Sequence, residues 1–324
     1  MKKGLLIYNP EDYEKNKWFV KELLTKAPKH GLELYFILRN QLMLSIDELG
    51  SFAAYALITD AHTIDSYDLL TTNPPLHTPL EVPDTSKLNT HLASSMTHLQ
   101  GFDFVINRTR DSIVGSHFEK MNCRVFNSSY VTEICNHKGK THELINSQGI
   151  SSVSTLPCNA QYFNPSLIPF DYPMILKSVG GHGGNEVFLA KDEISLLTYI
   201  HTLSSSDFIL QALCTNPGID IRVFTLGKEI IASVKRFCTT SFKSNYSLGG
   251  SAVSYQLAPH EEKLVYKILD SLETDFVGID FILDQNGKLL FNEIEDVVGT
   301  RTLYLTHPDI DIVDHFLSYI QKTL

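Results

Sequence analysis

Three carboxylates near the end of the sequence are spaced so that they could hold a metal ion. The stretch VGIDFILDQNGKLLFNEIED reads as two β-strands joined by a turn at Asn286 and Gly287. Glu293 and Glu295 are two residues apart and therefore share one face of the second strand. An even-numbered loop sets Asp280 opposite an odd-numbered residue, on that same face. Carboxylate oxygens suit Mg²⁺, and a solvated acidic face is the alternative.

The opposite face of this hairpin is apolar and is predicted to pack into a hydrophobic core. Its residues are Val277, Ile279, Phe281, Leu290 and Ile294. Three carboxylates on the other face repel one another unless a positive charge lies between them. This requirement favours the metal site over the solvated face.

A glycine-rich loop follows a lysine in the middle of the chain, in PMILKSVGGHGGNEVFLA. In a P-loop the glycines come first and the lysine follows as a helix begins, whereas here Lys177 comes first, on a β-like run. The GxGxxG spacing of a dinucleotide-binding turn does not occur in this loop either. Because EVFLA is short and β-prone, the segment is predicted to be a hairpin with a mobile tip.

Composition favours a globular protein without a membrane span. The chain has 324 residues, 43% of them hydrophobic, enough to bury a large core and to form two or three compact units. The longest apolar run, FAAYALI, is too short to cross a bilayer. The N-terminal LLIY is interrupted at once by NPED, which does not fit a signal peptide. We therefore expect a cytoplasmic location and no membrane partner.

Charge and cysteine usage narrow the possible ligands. A net charge of −10 argues against binding nucleic acid, so an anionic ligand must meet a local cluster of cations. The five cysteines are odd in number, lie far apart and form no CxxC motif. They are therefore expected to be reduced thiols rather than a disulfide framework or a zinc site.

Two different halves are predicted to position these residues. KGLLIYN and ELYFILR read as strands around a helix near residues 12–28, and AAYALIT and DFVINR add further strands. Residues 59–90 are rich in Pro and Thr and are predicted to form a long surface loop. In the second half, NHKGKTHELINSQGI reads as a helix closed by Gly149, and hairpins follow. Helices near residues 259–273 and 308–322 are predicted to cover the second sheet.

The order of these motifs resembles that of the ATP-grasp superfamily, in particular its RimK-like branch of ATP-dependent carboxylate–amine ligases. The motifs are the helix with Lys138, the glycine loop after Lys177, FILQALC, IDIRVF, SVKRF, SNYSLGG, GIDF and FNEIE. The resemblance implies an α/β fold with α+β lobes: a Rossmann-like pre-ATP-grasp domain over 1–127, a central ATP-grasp subdomain with a glycine-rich lid over 128–208, and a C-terminal subdomain with the metal site over 209–324.

The resemblance also assigns roles to individual residues. Those expected to bind ATP are the two lysines, the lid glycines and the hinge strand that meets adenine: Lys138, Lys177, Gly180, Gly181, Gly183, Gly184, Gln211, Ala212 and Leu213. Those expected to hold two Mg²⁺ ions, with Mn²⁺ as an alternative, are Asp280, Glu293 and Glu295. Arg222 and Arg236 are expected to contact the transferring phosphoryl group. A loop over the reacting groups contains Lys243, Asn245, Gly249 and Gly250.

Several positions depart from the family pattern. Ala212 stands where an acidic residue is common, and Lys243 stands for an arginine. Glu295 replaces the usual Asn of the metal motif. The following DVVGTRTLY replaces a Pro-containing turn beside the acceptor pocket. Arg301 in this segment could bind a substrate carboxylate, or it could pair with Asp296 or Glu295.

The reaction implied by the resemblance forms an amide through an acyl phosphate. A substrate carboxylate attacks the γ-phosphate of ATP, and an amine then displaces phosphate, so that ADP and phosphate are released. The expected partners are a small carboxylate and an amine or peptide, and a homo-oligomer is possible. Two alternatives stay open: a ligase that modifies a peptide or protein, and an ATP-binding regulator that has lost catalysis.

Overall fold

A computed structural model describes residues 1–57, 96–239, 241–243 and 250–324. The chain forms two compact units, Met1–Ser129 with Ile312–Leu324, and Tyr130–Asp311. The division into three domains stays a prediction, and the loop predicted at 59–90 lies outside the described residues. No helix within the described ranges has the length and apolar character needed to cross a membrane.

The secondary-structure elements alternate along the chain. The helices are α1 (Pro10–Lys26), α2 (Ser112–Lys120), α3 (Ser129–Cys135), α4 (Lys138–Ser147), α5 (Glu193–Ile200), α6 (Pro259–Ser271), α7 (Arg301–Thr306) and α8 (Ile312–Thr323). The strands of the first unit are β1 (Lys2–Tyr8), β2 (Leu32–Leu38), β3 (Leu42–Ile46), β4 (Phe52–Leu57), β5 (Met96–Leu99), β6 (Phe104–Arg108) and β7 (Arg124–Phe126). Those of the second unit are β8 (Thr155–Asn159), β9 (Met174–Ser178), β10 (Val187–Ala190), β11 (Asp207–Ala212), β12 (Ile219–Leu226), β13 (Glu229–Phe237), β14 (Ser251–Ser254), β15 (Phe276–Leu283) and β16 (Leu289–Glu295).

The first unit contains the predicted βαβ opening. Its main sheet has the order β2-β1-β6-β7, with β1 parallel to both β2 and β6. The described part of the run AAYALIT, up to Leu57, lies in β4, but β4 belongs to a separate antiparallel sheet, β3-β4-β5. A strand pattern identifies the strand, whereas its sheet depends on pairings that no local pattern encodes.

Helix α8 belongs to the first unit, so the prediction that it covers the second sheet is wrong. It packs against α1, and the Phe316 ring meets that of Phe126 edge to face at 6.4 Å between centroids. Its buried residues, among them Ile312, Leu317 and Ile320, follow helical spacing. That spacing identifies the buried face of a helix but not the core that it enters.

The second unit is built on two antiparallel sheets, β10-β9-β11-β8 and β14-β13-β12-β15-β16. β9 and β10 form the predicted hairpin around the glycine loop, with Lys177 opposite Val187. The larger sheet shares a core with α4 and α6, to which Ile145, Ile221, Ile268 and Phe281 contribute. Helix α4 begins at Lys138, and Gly149 follows it with a positive φ of 67°, as the sequence predicts.

The acidic hairpin β15–β16 contains a β-bulge. Asp280 pairs with Glu293, but the next residue pairs with Phe291, so Asn292 is the extra residue. Because the bulge shifts the alternation of side chains, Phe291 and Leu289 are buried where Leu290 was predicted to be. The prediction for Leu290 is therefore wrong, whereas Val277, Ile279, Phe281 and Ile294 are core residues as predicted.

Candidate functional site

A cavity of about 110 Å³ in the second unit brings most of the predicted site residues together. It lies between the lid hairpin and the larger sheet, and the predicted residues in its wall are Lys138, Lys177, Gly181, Gly183, Gly184, Gln211, Ala212, Leu213, Arg236, Lys243, Asp280 and Glu293. Among these residues, three lysines, one arginine and two carboxylates in one small cavity suit a ligand that carries phosphates and a metal ion.

Lys177 is almost enclosed, with 8% of its surface exposed. Its ammonium donates to Asn292 Oδ1 at 3.0 Å, so the bulge residue holds the lysine. Burial lowers the pKa of Lys177 to about 8, although Glu293 opposes that shift. Asn292 also lines the cavity, and the sequence pattern does not predict this because bulges leave no reliable local signal.

Lys138 and the lid are in direct contact. Lys138 is the first residue of α4 and is buried. Its ammonium donates to the carbonyl oxygen of Gly181, and its Nζ lies 3.8 Å from Glu293 Oε2. From a different segment, Lys243 Nζ donates to Gly184 O at 2.8 Å. The structure therefore places both ammonium groups at the backbone of the lid.

The loop geometry explains most of the lid glycines. Gly183 and Gly184 have φ values of 64° and 83°, a region that side chains disfavour. A Cβ on Gly181 would lie 2.9 Å from Asn185 O, whereas one on Gly180 would have 4.0 Å to its nearest neighbour. Three of the four predicted glycines are thus required by backbone geometry.

Side-chain and backbone hydrogen bonds fix the position of the predicted hinge strand, β11. Gln211 Nε2 donates to Thr155 Oγ1 at 2.9 Å and lies 3.1 Å from His142 Nε2. The backbone N–H of Ala212 donates to Ser154 O at 3.1 Å. Burial, with a contribution from Lys177, lowers the pKa of His142 to about 4, so its ring is neutral at pH 7. The side-chain NH₂ group of Gln211 therefore makes its contacts, with Thr155 and His142, within the protein.

The three predicted metal carboxylates converge as the strand pairing requires. One oxygen from each of Asp280, Glu293 and Glu295 lies within 4.8 Å of the others. Asp280 is buried, and the two glutamates are partly exposed. A set of carboxylate oxygens with no nitrogen or sulfur donor fits a hard divalent cation such as Mg²⁺.

Two buried arginines link Asp280 to other carboxylates. Arg222 donates to both oxygens of Asp280, at 2.7 and 2.6 Å, and its Nη2 lies 2.7 Å from Glu295 Oε1. Arg236 donates to Asp280 Oδ2 at 2.7 Å and to both oxygens of Asp220 at 2.7 Å. Burial opposes ionisation of Asp280, but Arg222 and Arg236 outweigh it and hold its pKa below the usual value.

Asp220 is a site residue that was not predicted from the sequence. It lies in the cavity wall, on β12, two residues before Arg222. The available signal was the spacing Asp-x-Arg on a β-strand, which puts an acid and a base on one face. Only the pairing of β12 with β13 shows that Arg236 lies directly opposite Asp220.

The remaining predicted residues lie outside the cavity wall or outside the described ranges. Arg301 begins α7, is exposed, and forms no ion pair with any residue that the structure describes. Among the described residues, the two partners suggested for Arg301 have other contacts, since Glu295 pairs with Arg222 and Asp296 accepts from Asn136 at 2.9 Å. Gly250 directly precedes β14, and Asn245 and Gly249 are outside the described residues.

Solved structures share this architecture. The D-Ala:D-Ser ligase VanG from Enterococcus faecalis superposes with a TM-score of 0.69 at 14% identity, over 100% of this chain and 99% of that one. The fold is therefore the ATP-grasp fold, as the sequence predicts. A family model described as the RimK-like ATP-grasp domain matches residues 135–320. This chain belongs to the RimK-like ATP-grasp family.

Named relatives match over part of their length. Human N-acetylaspartylglutamate synthase A is 30% identical over 197 residues, which cover 58% of this chain and 50% of the human protein. The Pasteurella multocida protein named "Probable alpha-L-glutamate ligase" is 27% identical over 211 residues, 64% of this chain and 67% of that relative. This chain thus spans about half the length of the human relative that it matches.

Proposed function

We propose that this chain is an ATP-dependent ligase that joins a carboxylate to an amine through an acyl phosphate, releasing ADP and phosphate. The observation that carries the proposal is the cavity itself, where two buried lysines face converging carboxylates beneath a glycine-rich lid. A nucleotide triphosphate with a divalent cation satisfies both kinds of charge at once. Family membership supports ATP as that nucleotide.

The chain's own groups divide the chemistry between them. Lys138 and Lys177 are point charges that would neutralise phosphate oxygens. Asp280, Glu293 and Glu295 would hold Mg²⁺, and one or two bound ions would stabilise charge as two anions meet. No side chain needs to become covalently modified, because phosphoryl transfer depends on alignment and charge neutralisation.

The arginines act within this arrangement as fixed donors. Arg222 and Arg236 use Nε and Nη2 on carboxylates, so Nη1 of each is the group we assign to the transferring phosphoryl group. Ile175 and Val153 are buried apolar residues in the cavity wall and would enclose the adenine beside the hinge strand. Lys243, with Asn245, Gly249 and Gly250, would cover the reacting groups.

The substrates are proposed by class. The printed names of both relatives contain glutamate, one as part of a product and one as the ligated amino acid. We therefore propose an α-amino acid such as glutamate as the amine and a small carboxylic acid or peptide as its partner. Arg301, exposed and without an ion pair among the described residues, is the proposed contact for a substrate carboxylate.

The test is product analysis. The purified chain is incubated with ATP, Mg²⁺ and pools of carboxylic acids, amino acids and dipeptides, and products are identified by mass spectrometry while phosphate release is recorded. An adduct formed with loss of water, together with one phosphate per adduct, is expected. ATP binding without phosphate release from any pool would instead favour the regulator, and modification of added peptides alone would favour the peptide-modifying ligase.

A further inference from the structure

We propose that Asp220 is a positioning residue that keeps Arg236 from occupying the metal-binding side of Asp280. The proposal rests on the proposed function, since it concerns the same carboxylate site. Asp220 and Arg236 lie opposite each other on β12 and β13 and are 6% and 4% exposed. Arg236 Nε and Nη2 each donate to Asp220 at 2.7 Å, a bidentate geometry that fixes the plane of the guanidinium.

The hydrogen bonds of Asp280 show which of its acceptor positions this geometry leaves available. Its Oδ2 accepts from Nη2 of both arginines, and its Oδ1 accepts from Arg222 Nε. A carboxylate oxygen has about two acceptor positions, so Oδ1 keeps one for a cation while Oδ2 is saturated. Arg236 without Asp220 would direct both donors to Asp280 and take that remaining position.

Charge balance leads to the same conclusion. The ion pairs run in alternation through Asp220, Arg236, Asp280, Arg222 and Glu295. Three carboxylates and two guanidiniums leave one negative charge, which attracts a divalent cation. Neutralising Asp220 makes the series electrically neutral, and removing the charge of Arg236 as well restores a single negative charge.

The test measures binding of Mn²⁺ to the nucleotide-free protein, with free Mn²⁺ read by electron paramagnetic resonance. Asp220→Asn should raise the Kd for Mn²⁺ by about tenfold, the scale expected for one charge near the ion. The double variant Asp220→Asn with Arg236→Gln should return the Kd to near the parent value. Asp270→Asn, in an exposed pair with Lys228, is the control and should match the parent.

The outcomes separate positioning from a merely structural ion pair. A structural pair would lower the melting temperature of Asp220→Asn and leave the Kd for Mn²⁺ at the parent value, which would overturn the proposal. A double variant that binds Mn²⁺ as weakly as Asp220→Asn would also overturn it. If Asp220→Asn alone does not fold, the double variant decides: a Kd for Mn²⁺ near the parent value supports the proposal, and a Kd about tenfold higher overturns it. Because the binding needs no turnover, the result stands even if no ligase product is found.

Discussion

Lys177 is a buried base whose charge changes within an accessible pH range. Burial lowers its pKa from 10.5 to about 8. Only the charged ammonium attracts phosphate, so ATP affinity should be full below about pH 8 and should fall as pH rises further, approaching about tenfold per pH unit. Calorimetric titration with ATP between about pH 7 and about pH 9.5 measures this dependence.

Lys177→Met tests whether this residue is the source of that dependence. The variant keeps a similar length without the charge, so its ATP affinity should be weaker and nearly independent of pH. Lys191→Met removes an exposed lysine just after β10 and should follow the parent. A decline as steep in Lys177→Met as in the parent would assign the effect to another group.

His142 connects the hinge strand to the pH dependence of stability. Burial and Lys177 lower its pKa from 6.5 to about 4, so between those values the unfolded chain binds a proton that the folded chain does not. This contribution should therefore reduce stability as pH falls from about 6.5 towards 4, by roughly 3 kcal/mol at most. Urea unfolding of His142→Gln should show a flatter pH dependence, and exposed His260→Gln should retain the parent slope. Equal pH dependence in both variants would rule out His142 as the source of this loss of stability.

At the scale of elements, the lid is held by lysines from two other segments. Lys138 reaches the carbonyl of Gly181, and Lys243 reaches that of Gly184 at 2.8 Å. The cavity of about 110 Å³ is smaller than the roughly 300 Å³ at which ligand pockets begin, so we expect the lid to move when a nucleotide enters.

Hydrogen exchange measures this movement directly. Lys243→Met should speed the exchange of amides at 180–185 in the absence of nucleotide, because one of the two contacts is lost. Adding ATP and Mg²⁺ to the parent should slow exchange there. Exchange rates that are the same in parent and variant, and unaffected by nucleotide, would show that these contacts do not control the lid.

The elements also show where prediction from sequence reaches its limit. The acidic face of β15–β16 follows from a period of two and a short turn, so Asp280, Glu293 and Glu295 could be placed together. The bulge at Asn292 could not, because an extra residue leaves no mark on the apolar pattern. The bulge turns Leu290 to the other face of the strand. Its extra residue, Asn292, also accepts the hydrogen bond from Lys177.

At the scale of the whole molecule, local patterns predicted the parallel opening and the hairpins, while long-range pairings decided the rest. Residues distant in sequence determine which unit α8 joins, which sheet contains β4 and which residue pairs with Asp220. The order of motifs predicts a long-range relationship that periodicity cannot, because it places Lys138 and Lys177 in one site with the acidic hairpin.

The acidic face of β15–β16 is proposed to bind Mg²⁺ for phosphoryl transfer, and Glu293→Gln removes one of its charges. The substitution keeps the size and one oxygen but removes the charge, and Glu293 is partly exposed, so the fold should be little affected. The melting temperature without nucleotide should stay within about 2 °C of the parent. Glu133→Gln, which breaks an exposed pair with Lys140, is the matched control.

The measurement is phosphate release against Mg²⁺ concentration, in the presence of ATP and the substrate pair found by product analysis. Glu293→Gln should need more Mg²⁺ and should turn over about a hundredfold more slowly, because the metal that neutralises the developing charge is misplaced. Glu133→Gln should reproduce the parent curve. Turnover within a few-fold of the parent and an unchanged Mg²⁺ dependence in Glu293→Gln would contradict the metal site and the ligase proposed around it.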